Sequence, residues 1–207
     1  MRRTKAEAAE TRCSILCAAE QLFFEKGVDN SALDEIASAA GVTRGAIYWH
    51  FSSKSDLFLE LYNSAQLPRV NMADIDDPLE SGEDPLARVE KMACGWLEML
   101  AADRHRQRLL SILLRTNFTD EFEPVRQEMD VLDREHTLHL QGTLARAARH
   151  GGLADGWTPQ SASRAFKWMM KGICWDWLLF GQKFDLVAEG GDKVRRLLSS
   201  FRSNPAR

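Results

Sequence analysis

Between Val42 and Lys54 the chain carries Thr43, Arg44, Gly45, Tyr48, Trp49 and His50, and no acid at all. A helix face built only for water would carry Glu, Lys, Gln and Ala. Aromatic rings beside Arg and Lys suit phosphate oxygens, base edges and thymine methyls, the chemistry of reading a DNA groove. Thr43, Arg44 and Gly45 would stand nearest the bases, with Gly45 allowing close approach. Tyr48, Trp49 and His50 would span bases and backbone, and Lys54 would meet a phosphate. Ser31, expected as the N-cap of the preceding helix, would offer a phosphate the backbone N–H groups of a helix start. The competing explanation is an ordinary helix pair whose aromatics pack on a neighbouring domain.

Placing these side chains requires two short helices and a tight turn. Leu33, Ile36, Ala37 and Ala40 fall at i, i+3, i+4 and i+7, one apolar helix face. Gly41 then suits the left-handed C′ position. Val42 plugs the turn, Thr43 is an N-cap, and Arg44 to His50 forms a second helix with Ile47 and Phe51 turned inward. The spacing predicts a helix-turn-helix at about 33–51 inside an N-terminal domain of residues 1–70. Capping boxes Thr4-x-x-Glu7, Ser31-x-x-Asp34 and Ser53-x-x-Asp56 place helix starts after Thr4, Ser31 and Ser53. Helix 1 runs from about Lys5 to Lys26, and helix 4 from Lys54 to about Gln66.

Residues 71–85, with two prolines, one glycine and six acids, read as a solvated linker. A second helical domain, 71–207, follows. Its helices are expected at Leu86–Ala102, around Leu109–Leu114, from Asp120 or Glu121 to His150, at Pro159–Phe180 and at about Leu186–Phe201. The helix ending at Phe180 is apolar on nearly all sides, so every side needs cover. Together with the amphipathic last helix it predicts a four-helix contact between two copies through Trp177, Leu178, Val194, Leu197, Leu198 and Phe201; burial within one chain is the alternative. Trp96, Met99, Phe118, Phe122, Met129, His136, Met169, Met170 and Trp175 supply aromatics and thioethers for an adaptable ligand cavity. Asp133 and Asp176 would select positive charge, Asp176 through cation–π company as well. Asp133, His136 and His139 share a helix but turn too far apart for a metal site. Cys13 and Cys17 read as buried hydrophobes rather than a thiol switch.

Composition bounds the rest. The chain has 207 residues, 44% hydrophobic and 28% charged, with formal net charge −3. No apolar run reaches the roughly 18 residues of a membrane span, and Arg2-Arg3 has no apolar stretch behind it to make an export signal. Four cysteines without framework or metal spacing fit a reduced, cytoplasmic protein. Residues 1–66 hold seven Lys/Arg against nine Asp/Glu. DNA binding therefore depends on placement, with Arg2, Arg3, Lys5 and Arg12 at the N-terminus and Arg44, His50 and Lys54 at the hairpin. Motifs for phosphate loops, dinucleotides, nucleophile elbows and metalloproteases are absent, so neither catalysis nor a cofactor is expected.

The run Gly41-Val42-Thr43-Arg44-Gly45-Ala46-Ile47-Tyr48-Trp49-His50-Phe51, then Lys54 and Asp56-Leu57-Phe58, resembles the signature of the TetR family of bacterial repressors. Its wording is similar to the AcrR-type branch, which controls multidrug efflux. Trp177-Leu178-Leu179-Phe180 with Phe184-Asp185-Leu186 resembles that branch again. The resemblance implies an all-α fold: an N-terminal three-helix domain with the helix-turn-helix, and a C-terminal helical domain for ligand binding and dimerisation. It also implies a homodimer on double-stranded operator DNA, released by a small lipophilic effector, cationic if the acids select it. An all-α binder or enzyme that keeps the hairpin only as structure is the other reading.

Overall fold

A computed structural model describes residues 4–65, 84–150 and 152–203. Among these the chain is helical, with one isolated bridge between Leu153 and Arg202 and no strand. The helices are α1 (Lys5–Lys26), α2 (Leu33–Ala39), α3 (Arg44–His50), α4 (Lys54–Ala65), α5 (Pro85–Ala102), α6 (Arg104–Arg115), α7 (Glu123–His150), α8 (Pro159–Leu179) and α9 (Leu186–Phe201). A single 3₁₀ turn, Asp120–Phe122, leads into α7. The all-α expectation holds. The linker predicted at 71–85 lies outside the described residues except for Asp84, which caps α5 by accepting from the Leu86 N–H at 2.9 Å, and Pro85, its first residue.

Local chemistry sets the helix starts. At Thr4 the reciprocal box forms: its N–H donates to Glu7 Oε2 at 2.7 Å, and its hydroxyl accepts from the Glu7 N–H at 3.3 Å. Ser53 accepts from the Asp56 N–H at 3.0 Å, but the Asp56 carboxylate turns to the Ser52 N–H instead. The expected cap at Ser31 is corrected. Ala32 is the N-cap, and the Ser31 hydroxyl is buried and donates to the Gly27 carbonyl at 2.8 Å. Gly41 ends α2 at φ +68°, a conformation that a Cβ disfavours.

Two compact units emerge, and they do not divide at residue 70. The first joins the described part of 1–66 to 105–129; the second joins the described parts of 67–104 and 130–207. The reason is a shared core. Ile15, Phe23, Ile36, Ile47, Leu57 and Phe58 pack in one cluster with Leu109, Ile112, Phe122 and Val125. The Phe58 ring meets Phe23 and Phe122 edge-on, at 6.1 and 5.7 Å between centroids. The buried Glu20 carboxylate is held by Arg108 at 2.6 Å and His105 at 2.8 Å, the pairing that a buried charge requires.

In the second unit α9 packs chiefly on α5 and then on α8. Gly190 permits the approach: a Cβ there would stand 3.0 Å from Leu97 and 3.3 Å from Ile173. Trp177 Nε1–H donates to the Phe184 carbonyl at 3.0 Å, and Phe201 lies edge-on to Trp157 at 4.6 Å.

Phe122 tests the enlarged first core. Phe122→Ala should cost about 3–5 kcal/mol of stability, seen as a lower urea midpoint. A loss under about 1 kcal/mol would place 105–129 outside that core.

Candidate nucleic-acid interface and ligand cavity

The recognition helix is held from beneath. Ile47 is fully buried and Phe51 nearly so. The Thr43 hydroxyl accepts from the Ala46 N–H at 3.3 Å and fixes the entry to α3. With that face committed, Tyr48 is left 47% and Trp49 73% exposed. Thr43, Arg44 and Gly45 are exposed as well. Arg44 is pre-positioned: its Nη1 donates to Asp34 at 3.1 Å, its Nη2 to the Tyr48 hydroxyl at 3.3 Å, and its guanidinium lies over the Tyr48 ring. The Tyr48 hydrogen bond, then Asp34, raise its pKa above the usual arginine value. His50 is half-buried, its ring edge-on to Trp49 at 4.6 Å, so it supports that indole more than it faces outward.

The other expected DNA contacts are placed differently. Lys54 donates to the Val28 carbonyl at 3.0 Å and sits over the Phe122 ring, so its ammonium is tied to its own unit. Ser31 is 1% exposed, which takes its hydroxyl out of reach of a phosphate. Arg12 pairs with Glu60 at 2.6 Å and covers Phe51. Arg2 and Arg3 lie outside the described residues. Cys13 and Cys17 are exposed, not buried as expected. Partial burial first, then Cys13, push the Cys17 thiol up, away from the reactive thiolate.

The second unit contains a cavity of about 280 Å³ between α5, α7 and α8. Its apolar wall includes Met92 and Trp96 from α5, His136 and Leu140 from α7, and Phe166 and Met170 from α8. Trp96, Asp133, His136 and Met170 are thus brought together as the sequence suggests. Burial lowers the His136 pKa below its usual value and outweighs the pull of Asp133. Asp133 lies between Lys167 and Lys171. Burial pushes its carboxyl up, but the two lysines prevail and hold it below its usual value. Lys167 and Lys171 escaped sequence reasoning, although two lysines at i, i+4 in an otherwise apolar helix were a visible anomaly.

Other residues expected at the ligand site lie away from this cavity. Phe122 is fully buried in the first unit's core, and Phe118 and Met129 pack against that core. Met99 and Met169 do not line the cavity, and Trp175 and Asp176 are exposed outside it. The residues expected at a dimer contact divide between buried and exposed positions of the single chain. Trp177, Val194, Leu198 and Phe201 are at most 6% exposed within the single chain. Leu178 and Leu197 are partly exposed. The apolar face left in solvent is Trp168, Trp175, Leu179 and Phe180. The first three repeat at i, i+7 and i+11 on one side of α8.

Among the described residues no helix is long and apolar enough to cross a membrane. No group of three or more His, Cys, Asp or Glu among them is placed to hold a metal ion.

Comparison with known proteins agrees with this arrangement. Residues 15–61 match the bacterial regulatory proteins of the tetR family, and residues 84–203 match the C-terminal region of the MAATS-type transcriptional repressors. The transcriptional repressor BepR of Brucella suis is 38% identical over 208 residues, which cover 98% of this chain and 97% of BepR. The transcriptional regulator AcrR of Shigella flexneri is 34% identical, covering 97% and 93%. Among solved structures, NalD, described as the secondary repressor of the MexAB-OprM multidrug efflux pump in Pseudomonas aeruginosa, superposes with a TM-score of 0.86 at 33% identity, covering 96% of this chain and 98% of NalD. With a reader helix locked onto a phenylalanine-rich core and both halves of the chain matched, the protein belongs to the TetR family and is a DNA-binding transcriptional repressor.

Proposed function

We propose that the protein acts in the cytoplasm as a homodimer, represses a drug-efflux operon, and leaves its operator when a lipophilic small molecule fills the cavity of the second unit. One observation carries the DNA half of this reading. Arg44, Tyr48 and Trp49 stand in solvent on a helix whose opposite face is fully buried, and Asp34 already orients the arginine. NalD, described as a repressor of a multidrug efflux pump, supports the choice of operon. The dimer reading rests on the exposed stripe Trp168, Trp175 and Leu179, since a helix-turn-helix works in pairs on two-fold sites.

Release requires a ligand that binds better to a conformation whose two readers no longer match the half-site spacing. α7 is the natural carrier of that signal. It contributes Val125 to the first core and Asp133 and His136 to the cavity.

Two experiments test the scheme. Arg44→Ala should weaken binding to the gene's own upstream duplex by about 1–3 kcal/mol, if the guanidinium reads a base edge. It should also relax specificity at one position in each half-site. Tyr48→Ala should weaken binding as well, with helicity intact. Unchanged anisotropy titrations for both would remove α3 from the DNA. For assembly, Leu179→Glu should give folded monomers by sedimentation, because the change is made on an exposed stripe. Leu198→Glu should instead unfold the chain, since an unpaired buried charge costs several kcal/mol. A Leu179→Glu protein that stays dimeric would move the contact off α8.

A further inference from the structure

The cavity's charge is opposite to what its acids suggest in the sequence. A cation-selecting site needs a carboxylate whose charge is not already matched by the protein's own cations. Asp133 has already given Oδ2 to Lys167 Nζ at 2.7 Å and Oδ1 to Lys171 Nζ at 2.9 Å. Asp176, the other candidate acid, is exposed and outside the lining. The wall therefore carries three cations, Arg88, Lys167 and Lys171, against one acid, Asp133.

The lysines also retain donors. Each ammonium has three N–H groups. Lys167 spends one on Asp133 and one on the Thr137 hydroxyl, and Lys171 spends one on Asp133. Lys167 is the more enclosed of the two, 21% exposed against 51%. A charge-assisted hydrogen bond to such an ammonium is shorter and stronger than a neutral one, and partial desolvation strengthens it. Beside these donors stand the indole of Trp96, the Phe166 ring and the Met92 and Met170 thioethers, a body-sized apolar surface.

Resting on the reading of this cavity as the effector site, we propose that it takes a lipophilic anion, an aromatic or long-chain carboxylate or phenolate. The charged head meets Lys167 and Lys171 while the apolar body lies against Trp96, Phe166 and Met170. Asp133 is the resident counter-ion of both ammonium groups, and an incoming anion competes with it for them.

Three naphthalene probes with the same ring system and different heads test this by calorimetry on the full chain: 2-naphthoate, neutral 2-naphthamide and cationic 2-naphthylmethyltrimethylammonium. The carboxylate should bind at least about tenfold more tightly than the isosteric amide, the usual gain from a charged hydrogen bond. The ammonium should bind most weakly. Lys167→Gln should erase most of the gap and leave the amide nearly unchanged. Asp133→Asn should tighten the carboxylate, because it frees both lysines; damage to the fold would weaken all three probes together. The proposal is overturned if the amide binds as tightly as the carboxylate, if the ammonium binds best, or if Asp133→Asn weakens the carboxylate. In each of those cases the cavity still binds lipophilic molecules and only its charge class is wrong. Failure of all three probes to bind removes the effector site itself, and the anion proposal with it.

Discussion

A helix-turn-helix cannot bury its own apolar faces. α2 and α3 have seven residues each, too few for a helix to persist alone in water. Each must give its apolar side to a common core, which α1 and α4 do not close by themselves. The chain solves this by returning. Leu109, Ile112, Phe122 and Val125 enter the same cluster as Phe23, Ile36 and Ile47. Phe58, between Phe23 and Phe122, ties α1 and α4 to the returning segment through edge-on ring contacts. Only because this support is complete from below can α3 leave Tyr48 and Trp49 in solvent.

The second unit makes three demands on one helix. α8 buries Ala162, Phe166, Cys174 and Trp177 in the monomer core. It turns Lys167, Met170 and Lys171 to the cavity, and it leaves Trp168, Trp175 and Leu179 outside. The all-round apolarity is therefore neither wholly a subunit contact nor wholly a core. Three neighbours share its circumference, and the lysines mark the cavity sector. In the core sector, burial pushes the Cys174 thiol up to about 11.

What was legible in the sequence was local. Helical period and caps need only a few neighbouring residues, so Lys5–Lys26 and Leu186–Phe201 and the turn at Gly41 could be read directly. The outward set on α3 was legible for the same reason: Ile47 and Phe51 fix which side is in. What failed was long-range. Val194, Leu198 and Phe201 announce an apolar face, but not whether α5 or a second copy covers it. Phe118 and Phe122 look like pocket residues until the chain's return to the first core is known. Ser31 failed one residue from success, because its hydroxyl found the Gly27 carbonyl and left the cap to Ala32.

The acids show most clearly why residue type alone misleads. An aspartate among aromatics reads as a cation trap, but the lysines that occupy Asp133 stand 34 and 38 residues away. In the first unit Asp34 pairs with Arg44 and Glu60 with Arg12. These pairs are largely solvent-exposed, and such pairs contribute little to stability. Their effect is on direction: a long flexible cation held by a carboxylate has fewer rotamers to lose when an anion binds. A net charge of −3 is then no obstacle to binding phosphate on one unit or a carboxylate in the other. Acids paired with Arg44, Lys167 and Lys171 lower the net charge, and these cations keep N–H donors beyond those pairs.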